Sequence, residues 1–339
     1  MENFTNPTHN PPLSPSLEKE YEAILRFAGA QASHHFSFAH SSAEAVNHAV
    51  LATYLEVSRK TGKNHFLASG LEEAPAILSM ERLQELGCVF EMVPVGSDGM
   101  ISPETLAEAF TPRTAFFLCS WGCGLTGVLQ PVEELASLCQ ERGVLFHVEA
   151  SHVLGKGPFR FSESGGDLLS FSGGLFSKQE IPPFILGAST PVQEIEQLSA
   201  SCQKALSEID TVTMEVNRLR NLFEGRIQKE IVGARVVFGD QKRLPHISTM
   251  IFPMVHSDVL LYLLSRKGVY ATFGGGERQH LPHLLQACGV KKLDSLSALS
   301  FAFTAKTTEE EILEGVEKIV ETVHSLQNRS RLFFEEALA

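Results

Sequence analysis

Between Phe66 and Phe171, short apolar runs alternate with amphipathic stretches, and this alternation restricts the fold more than any other feature. Phe66–Ala68, Phe90–Val95, Ala115–Cys119, Val144–Val148 and Leu168–Phe171 are brief and rich in β-branched or aromatic residues. A strand that is apolar on both faces must be covered on both, as in a parallel sheet clothed by helices. Helical periods fill the gaps: Glu44–Arg59, Ala74–Leu86, Pro103–Phe110 and Val132–Arg142. Ser102, followed by Pro103 and Glu104, has the form of a helix cap with proline at the first helical position. Strand alternating with helix at this spacing predicts an α/β domain with a mostly parallel sheet.

The pattern changes near Pro191. A long helical stretch, Gln193–Ile231, leads into strand-like Ala234–Phe238 and Ser248–Phe252, then more helix and the apolar run Ala298–Phe303. The last helix is expected over Thr308–Gln327, with Glu309–Glu311 at the end where the helix dipole favours negative charge. We therefore expect an N-terminal arm over 1–16, a large α/β domain over 17–205 and a smaller α+β domain over 206–339. The long helix near 193–231 would bridge the two domains.

Charge narrows the function classes. Twenty-eight basic against 40 acidic residues give a net −12, which leaves no surplus to neutralise nucleic-acid phosphates or an anionic membrane. No apolar run reaches the roughly 20 residues of a membrane span, and Met1–Glu20 has no apolar signal core. Six scattered cysteines in a chain of this size suit a reducing compartment, so a cytoplasmic location is expected. Thirteen histidines raise the question of a metal. His34, His35, His40 and His48 lie close in sequence and His280 precedes His283, but no Cys/His set has zinc spacing. No metal site is expected.

From Gly96 to Gly173 a series of motifs follows in order. These are Asp98-Gly99, then Thr126-Gly-Val-Leu-Gln-Pro131, His147-Val-Glu-Ala150, Gly155-Lys-Gly-Pro158 and Ser170-Phe-Ser-Gly173. This order resembles the core of the class V aminotransferases, most of all their cysteine desulfurase branch. The ends are similar as well: Asn6–Pro11 to the family's opening, and Ala298–Ile312 to its closing strand and helix. The resemblance implies a fold-type I large domain that binds pyridoxal phosphate, the smaller C-terminal domain, and a homodimer.

Carried over residue by residue, the resemblance also predicts losses. Leu175 stands where the family has its Schiff-base lysine, and leucine offers no amine. Glu149 takes the place of the acid at the pyridinium nitrogen, and His152 that of a glutamine at the ring oxygen. Glu73 replaces the stacking histidine, and Cys123-Gly124 an asparagine pair. Gly274 lies near the persulfide cysteine position, and Ser300 at that of the substrate arginine, whose bidentate fork a hydroxyl cannot imitate. Part of a phosphate cup remains: Ser41, Ser42 and Ala43 at a helix start, Ser172, and Thr190, which the family donates across its dimer.

These residues imply a catalytically degenerate desulfurase homologue acting by binding or assembly. Its partner would be itself, an active paralogue, an iron–sulfur scaffold or a sulfur acceptor. One alternative is an active enzyme using another lysine such as Lys178; a second is non-covalent binding of pyridoxal phosphate or another phosphorylated small molecule. Glu149 is open to two readings, as a retained cofactor partner or as an inherited residue in an unused cleft. His152 reads as polar filling of that cleft, and Lys156 as structural.

Overall fold

The computed structural model describes residues 17–179, 192–275 and 279–338; the 1–16 arm and Thr190 lie outside them. Two compact units divide the chain. The first comprises Met1–Pro94, Ile101–Trp121 and Gln130–Ile209, and the second Val95–Met100, Gly122–Leu129 and Asp210–Ala339.

The first unit is built on seven strands: β1 (His35–Phe38), β2 (His65–Ser69), β3 (Val89–Val93), β4 (Thr114–Ser120), β5 (Leu145–Glu149), β6 (Leu168–Phe171) and β7 (Gly174–Ser177). Their order is β1-β7-β6-β5-β4-β2-β3. Strands β2 to β6 are parallel, and β7 runs antiparallel to both β6 and β1. The expected mostly parallel α/β sheet is therefore present.

Helix Ser42–Thr53 covers one face of this sheet. Its Ala45, Val46, Ala49 and Val50 form one buried cluster with Phe66, Phe116, Leu118, Leu168 and Leu175. The start of this helix is closed by its own residues. Ser41 Oγ accepts the Glu44 amide at 3.2 Å, and the Glu44 carboxylate accepts the His40 amide at 2.8 Å. Ser102 caps its helix as expected, accepting the Thr105 amide at 3.1 Å.

Two helices differ from the periodic reading. The stretch expected over Glu44–Arg59 turns to π geometry at Tyr54–Ser58, and the long one over Gln193–Ile231 does so at Thr211–Val216. Apolar periodicity does not register one extra residue in a turn, because the buried face continues on either side.

Strand β7 is too short to announce itself in sequence. It arises because Ser172 and Gly173 turn the chain back on β6, pairing Phe171 with Gly174 and Ser170 with Leu175. At Gly174 an added Cβ would lie 2.3 Å from the Phe36 ring and 2.6 Å from the Ser37 carbonyl oxygen. Gly174→Ala is therefore expected to destabilise the fold by roughly 1–3 kcal/mol, the range for forced overpacking. A urea midpoint within error of wild type would contradict this.

In the second unit, β8 (Arg235–Val236), β9 (Ile247–Ile251) and β10 (Ala298–Ala302) form an antiparallel sheet in the order β10-β9-β8. Helices Asn217–Glu230, Ser257–Arg266 and Glu309–Leu338 bury Phe223, Leu260, Leu264, Ile312 and Val316 with Met250 and Leu299. The last helix opens on a capping box. Thr308 Oγ1 accepts the Glu311 amide at 3.2 Å, and the Glu311 carboxylate accepts the Thr308 amide at 2.9 Å.

Candidate functional site

Parallel strands bring their carboxyl ends together, and ligand sites of α/β sheets form there. In the first unit those ends carry acids and hydroxyls. Ser120 ends β4 and Glu149 ends β5, directly paired in register. Glu72 follows β2 by three residues and turns inward, only 4% exposed. Its two oxygens accept the Ser120 amide and the Ser120 hydroxyl, each at 2.6 Å. Burial pushes the Glu72 carboxyl up to about 8 against the pull of those bonds, and the charges of Glu149 and Glu73 push it the same way.

Glu149 is 8% exposed. Its Oε1 accepts the Ser151 amide at 3.1 Å and the Ser151 hydroxyl at short range. The Ser172 hydroxyl donates in turn to Ser151 Oγ at 3.3 Å. Burial raises the Glu149 carboxyl above its ordinary value, opposed by the Ser151 bonds and the His152 charge. His152 Nε2 lies 2.8 Å from Glu73 Oε1. That bond raises the imidazole above its ordinary value; burial works against it, and the Glu73 and Glu149 charges reinforce it. The arrangement is three carboxyls served by one imidazole, with a serine relay between Ser172 and Glu149.

Of the residues singled out in the sequence, Glu149, His152, Ser172 and Glu73 are thus brought together. Ser42 and Ala43 occupy the first turn of helix Ser42–Thr53, partly exposed. Leu175 is 1% exposed, inside the hydrocarbon cluster beneath that helix. Lys178 lies at the far end of β7, where its Nζ donates to the Gly165 carbonyl and its amide to Asp167, both at 2.9 Å. In the second unit, the Ser300 hydroxyl donates to the Leu125 carbonyl at 2.7 Å. Cys123 Sγ accepts the Thr126 amide, and Gly274, with φ of 98°, bridges to His280. Among the described residues no three potential metal donors come together, and no helix is long and apolar enough to cross a membrane.

Glu72, Ser120 and Ser151 were missed in the sequence. A signal was present: an acid a few residues past an apolar strand lies at the end of the sheet where α/β sites form.

The class V aminotransferase profile matches residues 13–174. A cysteine desulfurase of Gluconacetobacter diazotrophicus is 26% identical over 323 residues, covering 88% of this chain and 79% of that protein. The chain is similar to the class V aminotransferases, and within them to the cysteine desulfurases. The NifS cysteine desulfurase of Azotobacter vinelandii is 25% identical to this chain over 341 residues, covering 93% and 84% of the two chains. The fold of this chain matches the solved structure of a NifS-like protein with a TM-score of 0.82 at 23% identity, over 91% of this chain and 87% of the other. Cysteine desulfurases depend on pyridoxal phosphate. In this chain the groups bonded to Glu72, Glu149 and His152 are serines, backbone amides and Glu73.

Proposed function

We propose that this chain is a pseudoenzyme of the cysteine desulfurase branch, acting by binding or assembly rather than by turnover. Leu175 carries the reading. It sits at the position the family gives to its Schiff-base lysine, and it is packed among Ala45, Val46 and Phe116, with Ser37 and Ser170 as its paired neighbours on β1 and β6. The family match itself runs out at Gly174, one residue earlier.

Lys178 does not make good the loss. Because β7 runs against β6, each residue past Gly174 leads away from the carboxyl ends, and Ser177 already pairs with Leu168 at the start of β6. The Lys178 amine is engaged beyond that, on Gly165. This donor set does not fit a covalently held pyridoxal phosphate. With Ser300 and Gly274 at the substrate arginine and persulfide positions, the remaining steps lack their groups as well.

Under this reading the protein works in the cytoplasm as a partner subunit, paired with itself or with an active desulfurase, or docked on an iron–sulfur scaffold or sulfur acceptor. The test is direct. Protein mixed with pyridoxal phosphate, reduced with borohydride and weighed intact is expected to show no stoichiometric adduct. An adduct mapped to a single lysine, Lys178 included, overturns the reading.

A further inference from the structure

We infer that the Glu73–His152 pair closes the strand-end cleft against pyridoxal phosphate and kindred phosphorylated rings, with His152 as the cleft's own resident cation. The inference deepens the reading above and rests on it, since it presumes that no covalent bond recruits the cofactor.

The argument begins with Glu149. A carboxylate this buried needs a cation, a proton or several donors. Here it has the Ser151 amide and hydroxyl on one oxygen, and His152 as the nearby positive charge. His152 is anchored in turn by Glu73 at 2.8 Å. The anchor spans 79 positions of sequence, so it ties the loop after β5 to the segment after β2. A planar cationic ring aimed at Glu149 would have to take the oxygen that Ser151 leaves open and part His152 from Glu73. The second step leaves Glu73 unpaired beside Glu149, where like charges repel.

Charge opposes the other half of such a ligand too. A phosphate monoester brings up to two negative charges to a cluster of three carboxyls and one imidazole. The helix start that could receive it already carries the Glu44 carboxylate on the His40 amide. The pair that closes the cleft is nonetheless removable, because its side chains are 36% and 45% exposed and support no core.

Pyridoxamine 5′-phosphate is the suitable probe, since it has the ring and the phosphate but no aldehyde to trap surface lysines. Its binding is followed by fluorescence or calorimetry on wild type and on the double variant Glu73→Gln/His152→Ala, with urea midpoints confirming that both are folded. The expected result is no saturation of wild type below about 1 mM and binding at least about tenfold tighter in the double variant. Equal binding by the two proteins, or none by either, overturns the inference. The two readings fail separately: a borohydride-trapped adduct sinks the pseudoenzyme, whereas this probe reports only on what closes the cleft.

Discussion

Leu175→Lys is expected to lower stability by roughly 3–5 kcal/mol at neutral pH and to release no sulfide from cysteine when pyridoxal phosphate is supplied. The substitution restores the residue that the family uses, but the surroundings here are largely hydrocarbon, with only the paired serines Ser37 and Ser170 beside it. Leu175 is 1% exposed and clusters with Ala39, Ala45, Val46, Phe116 and Leu118. Losing the buried leucine costs part of the roughly 1.5–3 kcal/mol that such a side chain contributes. The ammonium then has no carboxylate or carbonyl reserved for it, so it must either keep an unpaired charge or surrender its proton. The deficit should accordingly shrink as pH rises toward the ordinary lysine range. There the unfolded chain also gives up the proton, and the folded state is no longer alone in paying for its loss. Urea unfolding at pH 7 and pH 10, with a cysteine-dependent sulfide assay, reads both parts. A variant as stable as wild type that forms sulfide would show the lysine pocket to be intact and would remove the main support for a pseudoenzyme.

The same residue shows what could be read from sequence and what could not. β4, β5 and β6 were legible because they are short, predominantly apolar runs, and helix Val132–Arg142 because its period is regular and Gly143 follows it. From these the α/β class follows, and Glu149 falls at a strand end without further information. β7 was not legible. It exists through its pairing with β6 and β1, and four residues reading Gly-Leu-Phe-Ser carry no periodic signal of their own. Its direction is what carries Lys178 away from the site, so the question of a substitute lysine needed the topology. Glu72 was hidden for a different reason. Glu72 and Glu73 are adjacent acids of identical chemistry, and only the fold sends one inward to Ser120 and the other outward to His152. The segment Gly122–Leu129 belongs to the second unit because Thr249 and Ser300 hydroxyls both donate to the Leu125 carbonyl, contacts more than a hundred residues apart in sequence.

Glu72→Gln is expected to flatten a loss of stability that wild type suffers as pH rises from about 5 to about 8. Burial raises the folded-state carboxyl to about 8 from an ordinary 4.5. Between those values the folded chain keeps a proton that the unfolded chain has released, so every rise in pH favours unfolding. At about 1.4 kcal/mol per pH unit the full window sets an upper limit near 5 kcal/mol. The groups facing Glu72 are Ser120, Glu149, Glu73 and the Cys119 thiol. Glu149 and His152 are both shifted upward, so they add slopes of the same sign that the variant retains. Glutamine preserves the shape of the site, with its oxygen on the Ser120 amide and its nitrogen toward the Ser120 hydroxyl. The variant should match wild type near pH 5 and exceed it by several kcal/mol at pH 9, measured by urea unfolding across that range. A constant deficit at every pH would mean instead that Glu72 is ionised throughout and that the Ser120 bonds outweigh its burial. The cleft would then hold an additional negative charge at neutral pH, and its balance around the single His152 cation would have to be redrawn.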